Sequence, residues 1–263
     1  MTSTMRAADE FDKLKREQEQ ETRVPKLKRR KTLDWLVNGF EVVLLSQGDH
    51  DPPEADTGRL KEVSEKLIAL LSGKIRSYDI KDLAVLLKQY DNDECPHALE
   101  APAGAYLNEC IRRCRDKIIE LPIRDYSVAP DYIGSENDGK EIIVHGSVGW
   151  SAGSKMLGGK LTIRGNAGDV LGLNMEKGTI IVDGDAYGSV GFGMQGGLIV
   201  VKGKIKSFED ACEVGVEMTG GEVHVHGCTR EEIYSYIVDG TEGANIYWRD
   251  EPIVLNGRFV EPR

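Results

Sequence analysis

The sequence predicts a mainly β chain: a right-handed parallel β-helix of about five windings, 19 residues each, preceded by a small α-helical module. Three observations carry this. Glycine follows an alternating apolar segment at Gly146, Gly165, Gly184 and Gly203, at intervals of 19 residues, and again at Gly227 after 24. Ahead of each of those glycines, the fourth residue is Ile142, Leu161, Ile180, Ile199 or Val223 and the second is Val144, Ile163, Val182, Val201 or Val225. Two aliphatic columns separated by one residue are a strand with one buried face, repeated five times. Finally, Met156, Met175, Met194 and Met218 each stand three residues after a glycine, so four of the six methionines fall in one column. Like side chains stacked at a fixed period are the mark of a solenoid, and an unbranched thioether fills such an interior without demanding a particular neighbour.

From the N-terminus, residues 1–31 hold ten Lys/Arg and six Asp/Glu and almost nothing apolar. They are expected to form a mobile tail or a solvated helix, because they offer too little apolar surface to offset the entropy of ordering. Within this segment Lys26, Lys28, Arg29, Arg30 and Lys31 form a basic cluster able to grip an acidic partner or a phosphate backbone. The whole chain carries a net charge of −10, which argues against its body being a general nucleic-acid or membrane-surface binder. No apolar run approaches a membrane span and the N-terminus lacks the apolar core of a secretory signal, so a cytoplasmic location is expected. Five cysteines at irregular positions fit packed thiols better than a disulfide framework.

Residues 32–122 read as a helical module of three or four helices. Leu60, Val63, Leu67, Leu70 and Leu71 share one helical face, Leu83, Leu86 and Leu87 another, and Leu107, Ile111 and Ile118 a third. Thr32 to Leu45 fits helix or strand equally. Beyond Pro122 the β-helix takes over, spanning 123–228, and 20 of the chain's 30 glycines lie between Gly146 and Gly227.

Among them Gly191, Gly193 and Gly196 spell out a GxGxxG motif. A dinucleotide cradle needs a helix after its glycines to supply amide donors and dipole, and here the next segment, GGLIVVKG, is a strand. These glycines are therefore assigned to corners, as are Gly158-Gly159, Gly196-Gly197 and Gly220-Gly221, with Lys177-Gly178 in the remaining winding. The five residues in excess before Gly227 fall near Ser207 to Ala211 and form a loop in which Phe208 is a candidate contact for a partner. Residues 229–263 are expected to cap the last winding: Thr229 and Glu232 form a capping box, and Asn256-Gly257 turns a hairpin.

The run from Gly158 to Gly203 resembles the GXGXG repeat family, found as the C-terminal domain of the glutamate synthase large subunit and as one of the subunits of formylmethanofuran dehydrogenase. The resemblance covers roughly Asp138 to Gly227. It implies a non-catalytic scaffold, holding no cofactor of its own, that packs against a redox or metal-dependent partner enzyme within an oxidoreductase complex, or else against further copies of itself. Two other functions stay open: an enzyme working in an external groove, with Asp169, Asp183 and Asp185 as the nearby acids, and an RNA- or ribosome-associated factor using the basic tail. No catalytic, cofactor or metal residue is assigned. His224 and His226 share one side of a strand and would start a zinc site, but no carboxylate or cysteine in the sequence obviously completes it.

Overall fold

A computed structural model describes residues 31–45, 57–71, 73–91, 97–206, 212–237 and 241–260. Among the described residues four helices come first: α1 (Lys31–Leu45), α2 (Thr57–Ala69), α3 (Ser77–Leu87), extended by a 3-10 turn at Lys88–Tyr90, and α4 (His97–Arg113). The ambiguous Thr32–Leu45 segment is thus a helix. Its Leu33, Leu36, Phe40 and Val43 recur at helical spacing, and all four are buried. Leu83, Leu87, Leu107 and Ile111 are buried as their spacing predicts. Leu70 is not: α2 ends at Ala69, Leu70 is 70% exposed, and Ile68 occupies the core instead.

A parallel β-solenoid follows. Its long sheet has nine strands in the order β1 (Ile118–Pro122), β2 (Glu141–His145), β3 (Leu157–Ile163), β4 (Lys177–Val182), β7 (Leu198–Val201), β10 (Glu222–Val225), β11 (Asn245–Trp248), β12 (Glu251–Leu255) and β13 (Arg258–Phe259). Pairing is parallel from β1 to β11 and antiparallel over the last two strands. Two short ladders complete the cross-section: β5 (Ala186–Tyr187) with β8 (Ile205–Lys206), and β6 (Ser189–Val190) with β9 (Glu213–Val214).

The solenoid has about six turns where five were expected, because one parallel strand precedes the five marked ones and another follows them, and seven stacked strands enclose six turns. Ile118 belongs to β1 and is 55% exposed, so it shares no helical face with Leu107 and Ile111, and the helical module stops at Arg113 rather than Pro122. Neither added strand is followed by the marker glycine. Ile123 stands before Gly146 in that column, and Asp250 stands after Gly227. The helices and the windings share one continuous core within a single unit, residues 31–263.

Inside, the columns run as predicted. Ile142, Leu161, Ile180, Ile199, Val223 and Ile246 are paired in register and fully buried, as are the four methionines. Each large aliphatic contributes on the order of 1.5–3 kcal/mol of burial. The corners explain the glycines. Gly153, Gly172, Gly191 and Gly215 all take φ between 66° and 73°, and two residues later Lys155, Asn174, Gly193 and Glu217 take φ between 51° and 62°. Gly193 thus holds a corner position that lysine, asparagine and glutamate hold in other windings, and its motif is a product of the repeat.

Both ends of the coil are covered. At the start α3 packs on β1, and Asp116 Oδ2 accepts the Ser77 amide at 2.7 Å at the N-terminus of that helix. At the other end α5 (Arg230–Tyr236) starts with the expected capping box, Glu232 N donating to Thr229 Oγ1 at 3.2 Å and Thr229 N to Glu232 Oε2 at 2.6 Å. β12 and β13 turn at Asn256-Gly257, whose φ values are 48° and 72°. The segment from Asn245 is more than the hairpin expected of it, since β11 completes a parallel winding before the chain reverses at Arg249-Asp250.

Candidate functional site

The long sheet turns one face inward, and its outward residues form columns along the solenoid axis. The central outward column reads Glu120, Ile143, Thr162, Ile181, Val200, His224 and Tyr247, each paired in register with the next. Four consecutive members are β-branched and half-buried, Ile143, Thr162, Ile181 and Val200. The sequence pattern marks this column as the polar side of the strand, yet along these four windings it is largely apolar. Strands about 4.8 Å apart bring such side chains into contact, so the column is a narrow apolar ridge on a flat surface. Beside it run His145, Arg164, Asp183, Lys202 and His226, where Lys202 Nζ meets Asp183 Oδ1 at 2.6 Å.

A concavity lies where the helices meet the first windings. Lys61, Asn108, Glu109, Arg112, Glu136 and Lys155 line a cavity of about 240 Å³. Asn108 holds its floor, its Oδ1 accepting from Gly134 N at 3.1 Å and its Nδ2 donating to Ser135 O at 2.9 Å. Arg112 Nη1 sits 3.2 Å from Glu109 Oε2, 3.2 Å from Glu136 Oε2 and 3.5 Å from Glu65 Oε1, and Lys61 also bonds Glu136. The hydrogen bond from Lys61 holds the Glu136 carboxyl below the ordinary carboxylate range, with the charges of Lys61, Arg112 and Lys155 adding to it against some burial. Carboxylates engaged in this way are clamps between helix and coil.

The three acids considered for groove chemistry are tied into the coil. Asp169 Oδ1 accepts the amides of Val170 and Ser189 at 2.7 and 2.8 Å. Asp185 accepts the Lys204 amide at 2.8 Å, and Lys206, 2.6 Å away, lowers its pKa. Asp185 closes a ladder that the repeat alone did not reveal: Ser147 Oγ accepts Asn166 N at 3.1 Å, and Asn166 Oδ1 accepts Asp185 N at 2.9 Å. Three hydrogen bonds at intervals of 19 residues thus stitch one corner to the next. The clue was in the sequence, since Ser147, Asn166 and Asp185 each follow a marker glycine directly.

One acid titrates near neutrality. Burial pushes the Asp131 carboxyl up to about 6, partly opposed by the amide of Trp150, which donates to Oδ1 at 2.7 Å. A carboxyl whose folded pKa exceeds its unfolded value stabilises the fold in its protonated form, and that stability is lost as pH rises through about 6. Asp131→Asn keeps an acceptor for Trp150 and carries no charge. It is expected to raise stability at pH 7 by about 1–3 kcal/mol and to flatten the decline between about pH 4 and 6, as read by urea unfolding across that range. An equal loss of stability at every pH would show that the carboxyl acts only through its hydrogen bond.

Of the residues singled out for binding, Lys31 opens α1 and is exposed. Lys26, Lys28, Arg29, Arg30 and Phe208 lie outside the described residues. Cys110, Cys114 and Cys228 are buried and Cys212 is half-buried, all as free thiols whose pKa burial raises. Among the described residues no helix is long and apolar enough to cross a membrane. Nothing matches this chain among protein-family models, curated proteins or solved structures.

Proposed function

We infer that the chain is a non-catalytic scaffold that docks a partner enzyme against the outer face of its long sheet. The observation that carries this reading is the ridge of Ile143, Thr162, Ile181 and Val200, four β-branched residues in register on the outward side of a packed coil. Apolar side chains on a flat, rigid surface give up little entropy on binding, and such a patch bordered by charges is what a docking interface offers. The corners and acids reinforce it, because the glycines serve backbone geometry and Asp169, Asp183 and Asp185 hold windings together. The similarity to the GXGXG repeat family extends the proposal to the partner's class, a redox or metal-dependent enzyme subunit, within a cytoplasmic complex.

The test is capture from native extract with the full chain as bait, alongside Ile181→Lys, followed by mass spectrometry of what is retained. Ile181 projects outward, so lysine there keeps its stem on the ridge and places a charge in the interface. Wild-type chain is expected to retain a protein bearing flavin, iron–sulfur or metal, and Ile181→Lys to retain at least tenfold less. Equal retention by both proteins removes the ridge from the interface. Sedimentation of the purified chain covers self-association: a wild-type oligomer that Ile181→Lys dissolves would make the second copy the occupant.

A further inference from the structure

The geometry points to a binding site for one divalent transition-metal ion of the zinc type, built from His224, His226 and Asp250 at the C-terminal end of the sheet's outer face. One ligand atom from each of the three lies within 4.8 Å of the other two. The two histidines alternate with Val223 and Val225 along β10 and the residue just after it, so strand geometry puts both imidazoles on the outward side. Asp250 is brought in by the chain reversal after β11. It occupies the column of the marker glycines with φ of 73°, and its carboxylate turns back beside β10.

The distances leave room for an ion. His224 Nδ1 is 3.4 Å from Asp250 Oδ1. Two ligand atoms each about 2.0–2.2 Å from a tetrahedral ion stand roughly 3.4 Å apart. The opposite nitrogen, His224 Nε2, faces Glu222 Oε2, also at 3.4 Å. A carboxylate that accepts the Nε2 proton leaves the Nδ1 lone pair for the metal, the usual outer-shell arrangement for a ligating histidine. Tyr247 stacks on the His224 ring at 4.3 Å and 20°, which holds its plane.

A second observation comes from His226, whose Nε2 is shut away from solvent and has no hydrogen-bond partner. Burying a polar nitrogen without a partner is costly, and joining a metal cluster gives that imidazole a use. The cations that continue the neighbouring strands are turned to other groups. Lys202 pairs with Asp183, while Arg249 lies over Trp248 and donates to His226 O at 3.1 Å. Two imidazoles and one carboxylate favour zinc, nickel or copper over magnesium or calcium, which prefer all-oxygen shells. Three protein ligands leave a fourth position open.

The experiment uses the full chain without an affinity tag, titrated with Zn²⁺ and Co²⁺ alone and with Mg²⁺ as a control. One Zn²⁺ per chain is expected, with no Mg²⁺ uptake. Bound Co²⁺ should give a visible spectrum without the near-ultraviolet bands of cobalt thiolate, which separates this site from the cysteines. His226→Ala should cost at least 100-fold in Zn²⁺ affinity, and Asp250→Asn and Glu222→Gln about 10–100-fold. Asp250 is 82% exposed in its side chain, so its replacement tests the site without threatening the fold. Absence of stoichiometric uptake, unchanged affinity in Asp250→Asn and His226→Ala, or a thiolate cobalt spectrum would each overturn the assignment.

Discussion

Met175→Ala is expected to lower the stability of the fold by about 2–5 kcal/mol, the range for emptying a buried long side chain. Met175 is fully buried between Met156 and Met194, so the methyl and sulfur it loses have no solvent to replace them. Its surroundings are poorly able to collapse. A Cβ added at Gly197 would lie 2.7 Å from Met175 Cε, so the tip of the side chain sits directly beneath that corner. The same relation joins Met156 to Gly178 and Met194 to Gly221, at 2.8 and 2.6 Å. Each methionine therefore fills the space that the next corner leaves by having no side chain. Met175→Leu, which conserves volume, should recover most of the loss and cost less than about 1.5 kcal/mol. Urea unfolding of the three proteins decides the matter. A loss in the alanine variant below about 1 kcal/mol would mean that the column is not a packed interior.

That coupling shows how the sequence could be read and where reading stopped. The glycine and methionine columns were each visible from their 19-residue period, and so was the buried face of every marked strand, because a repeat multiplies the signal of one position. What the period could not convey was the meeting of two columns across a winding. The first and last strands were missed for a related reason. Ile119 and Leu121, and Ile246 after them, carry the inward pattern, but the glycine that punctuates the other windings is replaced by Ile123 and Asp250. Losing that marker is also what concealed the metal cluster, since Asp250 stands 24 residues from His226 and joins it only through the reversal after β11. The apolar ridge lay in plain view as Ile143, Thr162, Ile181 and Val200. Alternation alone assigned those positions to the polar side, and only their shared register makes them a surface.

Gly104→Ala sets two effects of opposite sign against each other. In the interior of α4 alanine is favoured over glycine by about 1 kcal/mol through helix propensity, so a helix packed loosely on its neighbour would be stabilised. At this position a Cβ would lie 1.8 Å from the carbonyl oxygen of Asp131 and 2.7 Å from its carbonyl carbon and amide nitrogen. These are backbone atoms with no rotamer to yield. The segment they belong to is held from both sides: Asp131 N donates to Glu100 O at 3.0 Å, Gly149 N to Pro130 O at 2.9 Å, and Tyr132 N to Trp150 O at 2.8 Å. Relieving the contact means moving α4 off the first windings by more than 1 Å, on the order of what van der Waals separation requires, and straining those bonds. The steric effect should win, with a net loss of about 2–4 kcal/mol. It should also loosen the cavity floor that Asn108 holds one helical turn further along α4. Hydrogen exchange would report that loosening as faster opening of the Gly134 amide relative to amides in β4. If Gly104→Ala instead matches or exceeds the wild-type stability, α4 does not rest on the Asp131 segment, and the joint between helices and coil must be drawn elsewhere.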